Sequence, residues 1–214
     1  MSTSRSRANS VNASALNRPS ARPPAPASAA LAPFALAVAG KAAELHQDGA
    51  AWFTNVEVKT HDGRTLHFYD DVMKGKIVLI NFFFTDCDAI CPLMTENLAR
   101  VQELLGPRVG TEIFMASITL KPEHDTPEVL AAYAETYDVG PGWLLLTGKK
   151  NDIELLRHRL GFVDSDPVED ADPEQHIGTV RIANEPKHRW AMSPALLNPA
   201  ALVRAVNRVI PQFT

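Results

Sequence analysis

The stretch from Lys76 to Pro92, KIVLINFFFTDCDAICP, restricts the fold more than any other part of this chain. Ile77, Val78, Leu79, Ile80, Phe82, Phe83 and Phe84 make a nearly unbroken apolar run, the pattern of a strand buried on both faces. That strand leads straight into Cys87 and Cys91, the only two cysteines of the 214 residues. A sheet covered by helices therefore delivers two thiols to one of its ends.

The residues that follow show what receives the thiols. Met94, Leu98, Val101 and Leu105 recur at helical spacing and stop at Gly106, which predicts an amphipathic helix. Pro92 suits its first turn, where a missing N–H leaves no gap in the hydrogen bonding. Cys91 then lies at or next to the helix N-terminus and Cys87 in the loop one turn earlier. Unpaired N–H groups and the macrodipole stabilise negative charge there, so a thiol is biased toward thiolate, the form that binds metals and attacks disulfides.

The same alternation continues. Glu112 to Leu120 reads as a strand, and Asp125 or Thr126 can cap a helix carrying Val129, Leu130, Tyr133, Ala134 and Tyr137 and ending at Gly140. Trp143 to Thr147 is a further strand, followed by a helix with Ile153, Leu156 and Leu160 inward and Gly161 as its stop. Three strand-helix alternations predict βαβ units and a mainly parallel central sheet. Two hairpins flank it: Phe53 to Lys59 with Thr65 to Tyr69 around His61-Asp62-Gly63, and Ile177 to Ala183 with His188 to Met192 around Asn184 to Lys187. Asn198-Pro199 caps a last helix with Leu202, Val206 and Val209 facing inward. The class is α/β, in one domain over residues 50–212.

Residues 1–43 differ from this body. They hold no Asp or Glu, four arginines (Arg5, Arg7, Arg18, Arg22), a Pro-rich patch, and a short apolar run ending Ala37-Val38-Ala39, the small-x-small form of a signal-peptidase site. The expectation is a disordered or export-signal-like tail and a periplasmic or otherwise exported protein. An Arg-rich, acid-free tail equally suits transit to an organelle intermembrane space. No apolar run reaches the roughly 20 residues of a membrane span, which leaves at most a loose membrane association.

The formal charge is −4, and without the residues up to Ala39 the body carries 17 basic against 25 acidic residues, or −8. That balance argues against a nucleic-acid partner and favours cations and basic protein faces. Six acids lie between Val163 and Glu174, a segment without periodicity that reads as a solvated loop. Asp86 and Asp88 add charge beside the thiols, which disfavours a fast anionic nucleophile but not cation capture.

Cysteines at i and i+4 can share one side of a helical turn, clamping a metal or closing a disulfide. Two thiolates select Cu(I), zinc or iron-sulfur clusters over hard cations, and two cysteines alone exclude a four-cysteine site within one chain. Histidine is the natural third donor. His46, His61, His67 and His158 read as surface residues, His124 lies in a loop after a parallel strand, and His188 follows the second hairpin turn.

The run Asn81 to Pro92 with its C-x-x-x-C-P, together with Ser117 to Leu130, Gly140 to Gly148 and the late His176, resembles the Sco/SenC family. The resemblance covers about residues 50–212. It implies a thioredoxin-like fold and a copper site of Cys87, Cys91 and His176 for Cu(I) or Cu(II). It also implies the role of a copper-binding chaperone that delivers copper to, or matures the copper centre of, cytochrome c oxidase, with an oxidase subunit or another copper-accepting protein as partner. Two thiolates and a neutral imidazole would give a net −1 with Cu(I) and zero with Cu(II). This chain departs from the family in having Leu120-Lys121-Pro122 where an Asp precedes the proline, and Gln175 where an Asp precedes the histidine. On that reading the protein is a metallochaperone rather than an enzyme. The competing reading is a thiol-disulfide oxidoreductase cycling Cys87 and Cys91. A peroxidase is disfavoured because there is no separate resolving cysteine.

Overall fold

The computed structural model describes residues 52–176 and 178–210. The tail expectation for residues 1–43 lies outside them, as does Ile177 at the start of the second hairpin. Among them these strands and α-helices follow in chain order: β1 Glu57–Thr60, β2 Thr65–His67, β3 Ile77–Phe83, α1 Ile90–Leu105, β4 Ile113–Thr119, α2 Pro127–Thr136, β5 Trp143–Gly148, α3 Lys150–Arg159, α4 Pro167–Asp170, β6 Thr179–Asn184, β7 Arg189–Pro194 and α5 Pro199–Val209.

The strands form one sheet in the order β2-β1-β5-β4-β3-β6-β7. Its centre, β5-β4-β3, is parallel as the βαβ pattern requires. The hairpins join antiparallel on either side, β1 against β5 and β6 against β3, so the complete sheet is mixed. The expected buried strand is β3, in which every residue from Val78 to Phe83 is buried. Its Asn81 is no packing error. Trp143 Nε1 donates to Ser117 Oγ at 2.9 Å, Ser117 donates to Asn81 Oδ1 at 2.7 Å, and Asn81 Nδ2 reaches Met94 Sδ at 3.8 Å. A chain of polar atoms thus links all three parallel strands to α1, each buried group answered by the next.

The first hairpin is shorter than its hydrophobic pattern suggests. β1 begins at Glu57, and β2 stops at His67 because Phe68–Met73 turn into a single π-helical turn. Phe68 and Tyr69 are both buried, which a period-two strand with one wet face cannot achieve, and the turn resolves that conflict. His61, expected at the surface, is half-buried, and its Nδ1 accepts from the Leu145 N–H at 3.2 Å. Just before β5, Gly142 (φ +86°) lies so close to Gly110 that a Cβ there would sit 2.3 Å from its nitrogen. Thr126 and Asn198 cap α2 and α5 through their side chains.

Candidate metal centre

β3 ends at Phe83, and α1 begins at Ile90, two residues before Pro92. Cys91 is therefore inside the first turn and completely buried, while Cys87, 7% exposed, lies in the preceding loop. Both are free thiols. Their sulfurs are hydrogen-bonded to each other, and the N–H groups of Ala89, Ile90 and Cys91 converge on Cys87. Burial opposes a Cys87 thiolate, but the Cys91 thiol and these three amides outweigh it and hold Cys87 below the ordinary thiol range. Burial, followed by the Cys87 contact, pushes Cys91 up to about 12. The helix terminus therefore activates the loop cysteine rather than the helical one, because its amides bond to Cys87 while burial dominates at Cys91.

The loop that carries the thiols is fastened from one side. Asp125, with no exposed surface, accepts from the Thr85 N–H at 3.1 Å and from the hydroxyls of Thr85 and Thr119. His124 Nδ1 lies 2.8 Å from its Oδ1. Lys121 Nζ grips both oxygens of Asp86, at 2.9 and 3.1 Å, and lies 3.9 Å above the Phe84 ring. Asp86 thus meets a cation, whose hydrogen bond lowers its pKa, instead of facing the thiols unopposed. The departure Lys121 has a function of its own, and Asp125, which the sequence offered only as a possible cap, is the buried carboxylate of this loop. Behind Cys91, Thr95 Oγ1 donates to the Cys91 carbonyl at 2.8 Å and contacts the Tyr133 hydroxyl at 2.9 Å.

His176 ends a 3₁₀ turn, Pro173–His176, and is 5% exposed. It faces Arg157 and Asp170: Arg157 Nη1 is 2.9 Å from its Nε2, which is also 2.8 Å from the Asp170 carbonyl oxygen. Among the described residues no three His, Cys, Asp or Glu side chains stand together as a metal-holding group. The structure brings Cys87 and Cys91 together and keeps His176 apart from them. Nor is the acidic segment a plain solvated loop. Asp170 pairs with buried Arg157 through both carboxylate oxygens, at 2.8 and 2.9 Å, and the guanidinium holds it well below the usual carboxylate range.

Fold and site define a thioredoxin-like domain with a hydrogen-bonded dithiol at the carboxyl ends of its parallel strands, where such sheets hold their sites. The chain belongs to the SCO1/SenC family, whose model matches residues 46–210. It is 34% identical over 87 residues to the SCO2-like protein RP587 of Rickettsia prowazekii, covering 41% of each chain. It is 31% identical over 98 residues to the SCO1 protein homolog of Bacillus subtilis, covering 45% of this chain and 49% of the relative. These alignments span about two fifths to half of the relatives' length.

Solved structures agree on the fold. A SCO1/SenC family lipoprotein from Bacillus anthracis superposes with a TM-score of 0.58 at 22% identity, covering 73% of this chain and 93% of that one. Yeast Sco1 with copper bound gives 0.57 at 19%, covering 74% and 91%. BsSco, described through its disulfide switch, gives 0.56 at 22%, covering 72% and 90%.

Proposed function

We propose that this protein is a copper-binding chaperone that holds one copper ion through Cys87, Cys91 and His176 and passes it to a copper-accepting subunit of cytochrome c oxidase. The observation that carries the reading is the pair of thiols in mutual contact at the head of α1. Two soft donors preplaced in this way suit Cu(I), and adding one imidazole lets the set serve Cu(II) as well. Membership of the SCO1/SenC family and the copper bound to yeast Sco1 support it. Cys87, the more acidic thiol, meets the incoming cation first. Bound charge then offsets the burial that keeps Cys91 protonated, and its proton leaves as the second sulfur engages. His176, the only buried histidine among the described residues, completes the set by leaving its present partners.

The acid-free tail and the lipoprotein neighbour support an exported location, periplasmic or in an organelle intermembrane space. Among the described residues no helix is long and apolar enough to cross a membrane.

Thiol-disulfide exchange is the second reading. The unequal thiols favour it, since a lowered Cys87 is a competent attacking sulfur, and the disulfide switch of BsSco supports it. Competition titration of the reduced protein with Cu(I) separates the two. The chaperone reading expects one copper per chain, lost in Cys87→Ser and in Cys91→Ser; undiminished binding in either variant would rule it out.

A further inference from the structure

Arg157 is the hub of a buried polar cluster. It projects from α3, is 3% exposed, and donates to the Phe162 carbonyl at 2.8 Å, to both oxygens of Asp170 and, at 3.0 and 3.1 Å, to Glu154. Its Nη1 lies 2.9 Å from Nε2 and 3.3 Å from Nδ1 of His176. Nε2 therefore has two claims on it. As a bare nitrogen it accepts from Arg157, and as N–H it donates to the Asp170 carbonyl. In either tautomer that nitrogen is committed, and a guanidinium cation beside the ring would repel an approaching metal cation.

Two residues after His176 the anchor is a different one. Gly178, at φ +90°, packs so closely on Ile90 that an added Cβ would lie 3.2 Å from its Cδ1. Ile90 opens α1 and immediately precedes Cys91. His176 is thus tethered two residues, at most about 7 Å of extended backbone, from a point already seated on the dithiol helix.

We propose that Arg157 and Asp170 form a latch that stores the His176 imidazole away from the dithiol, so that copper capture proceeds through its release. The proposal rests on the reading of His176 as a copper ligand. It makes the free protein a mixture dominated by the latched form, in which the two sulfurs capture copper first and the imidazole closes afterwards. Apparent affinity is then lowered by the fraction latched.

The test is the rate and affinity of Cu(I), supplied as its acetonitrile complex, for the reduced full chain and for Arg157→Gln, Asp170→Asn, His176→Ala and Arg157→Gln/His176→Ala. Loosening the latch should raise the rate of the final closing step at least about tenfold, and the double variant should lose that gain. If His176→Ala weakens copper while both latch variants, still folded, close at the wild-type rate, the latch is wrong and the ligand right. If His176→Ala leaves affinity unchanged, the ligand reading itself fails and the latch with it. The wild type provides a check that needs no variant: ¹⁵N NMR of the His176 ring should show the imidazole leaving Arg157 on Cu(I) loading. A ring still hydrogen-bonded to Arg157 in the loaded protein overturns the proposal.

Discussion

The buried carboxylate of Asp125 accepts hydrogen bonds from both the backbone N–H and the hydroxyl of Thr85, forty residues earlier in the chain. Thr85 is two residues before Cys87, so this one carboxylate fixes the loop that presents the first thiol. Asp125→Ala should leave the Thr85 amide and the Thr119 hydroxyl hydrogen without an acceptor and cost about 2 to 4 kcal/mol, measured by urea unfolding. Asp125→Asn, which keeps one acceptor, should cost less. Equal losses in the two variants would contradict the clamp.

The two thiols should differ in reactivity. Cys87 is the lowered and slightly exposed one, and Cys91 is fully buried with its pKa pushed up to about 12. Iodoacetamide at pH 8, followed by peptide mass spectrometry, should label Cys87 well before Cys91. Simultaneous labelling would mean that the helix-terminal amides do not select between them.

Stability should fall in acid for a definable set of carboxylates. Asp62 is held at about 2, chiefly by its Arg64 hydrogen bond, and Asp170 is held low by Arg157. Both pKa values are depressed in the folded state. Their contribution is thus complete above the unfolded value near 4 and is lost as pH drops through the folded values. The urea midpoint should decline as pH is lowered from about 4 toward 2, and the decline should be shallower in Asp170→Asn. An unchanged slope in that variant would remove the Arg157 pair from the account.

Gly142→Ala tests the close backbone approach between the ends of β4 and β5. Its positive φ and the 2.3 Å overlap of a Cβ with Gly110 leave no room for a side chain. The variant should lose several kcal/mol, with a thermal midpoint well below wild type. A near-neutral result would mean that the β4 and β5 ends can separate freely.

Much of this fold was legible in the chain because the relevant signals are local. The apolar run of β3, the stop at Gly106 and the Asn198 cap are each contained within a few residues. The dithiol at a helix start was legible for the same reason. What escaped were pairings between distant residues. Asp125 looks like any helix-capping acid until Thr85 and Thr119 are seen around it. Asp170 is one acid in a run of six until buried Arg157 singles it out. The direction of thiol activation also depended on geometry, since sequence places Cys91 nearest the helix end but only the structure shows the amides pointing at Cys87.

Copper K-edge absorption fine structure of the reduced protein loaded with one equivalent of Cu(I) reads the donor set directly. The wild type should show two sulfur neighbours and one imidazole nitrogen, and His176→Ala the two sulfurs without that imidazole. An imidazole retained in His176→Ala, or fewer than two sulfurs in the wild type, would contradict a centre built from Cys87, Cys91 and His176.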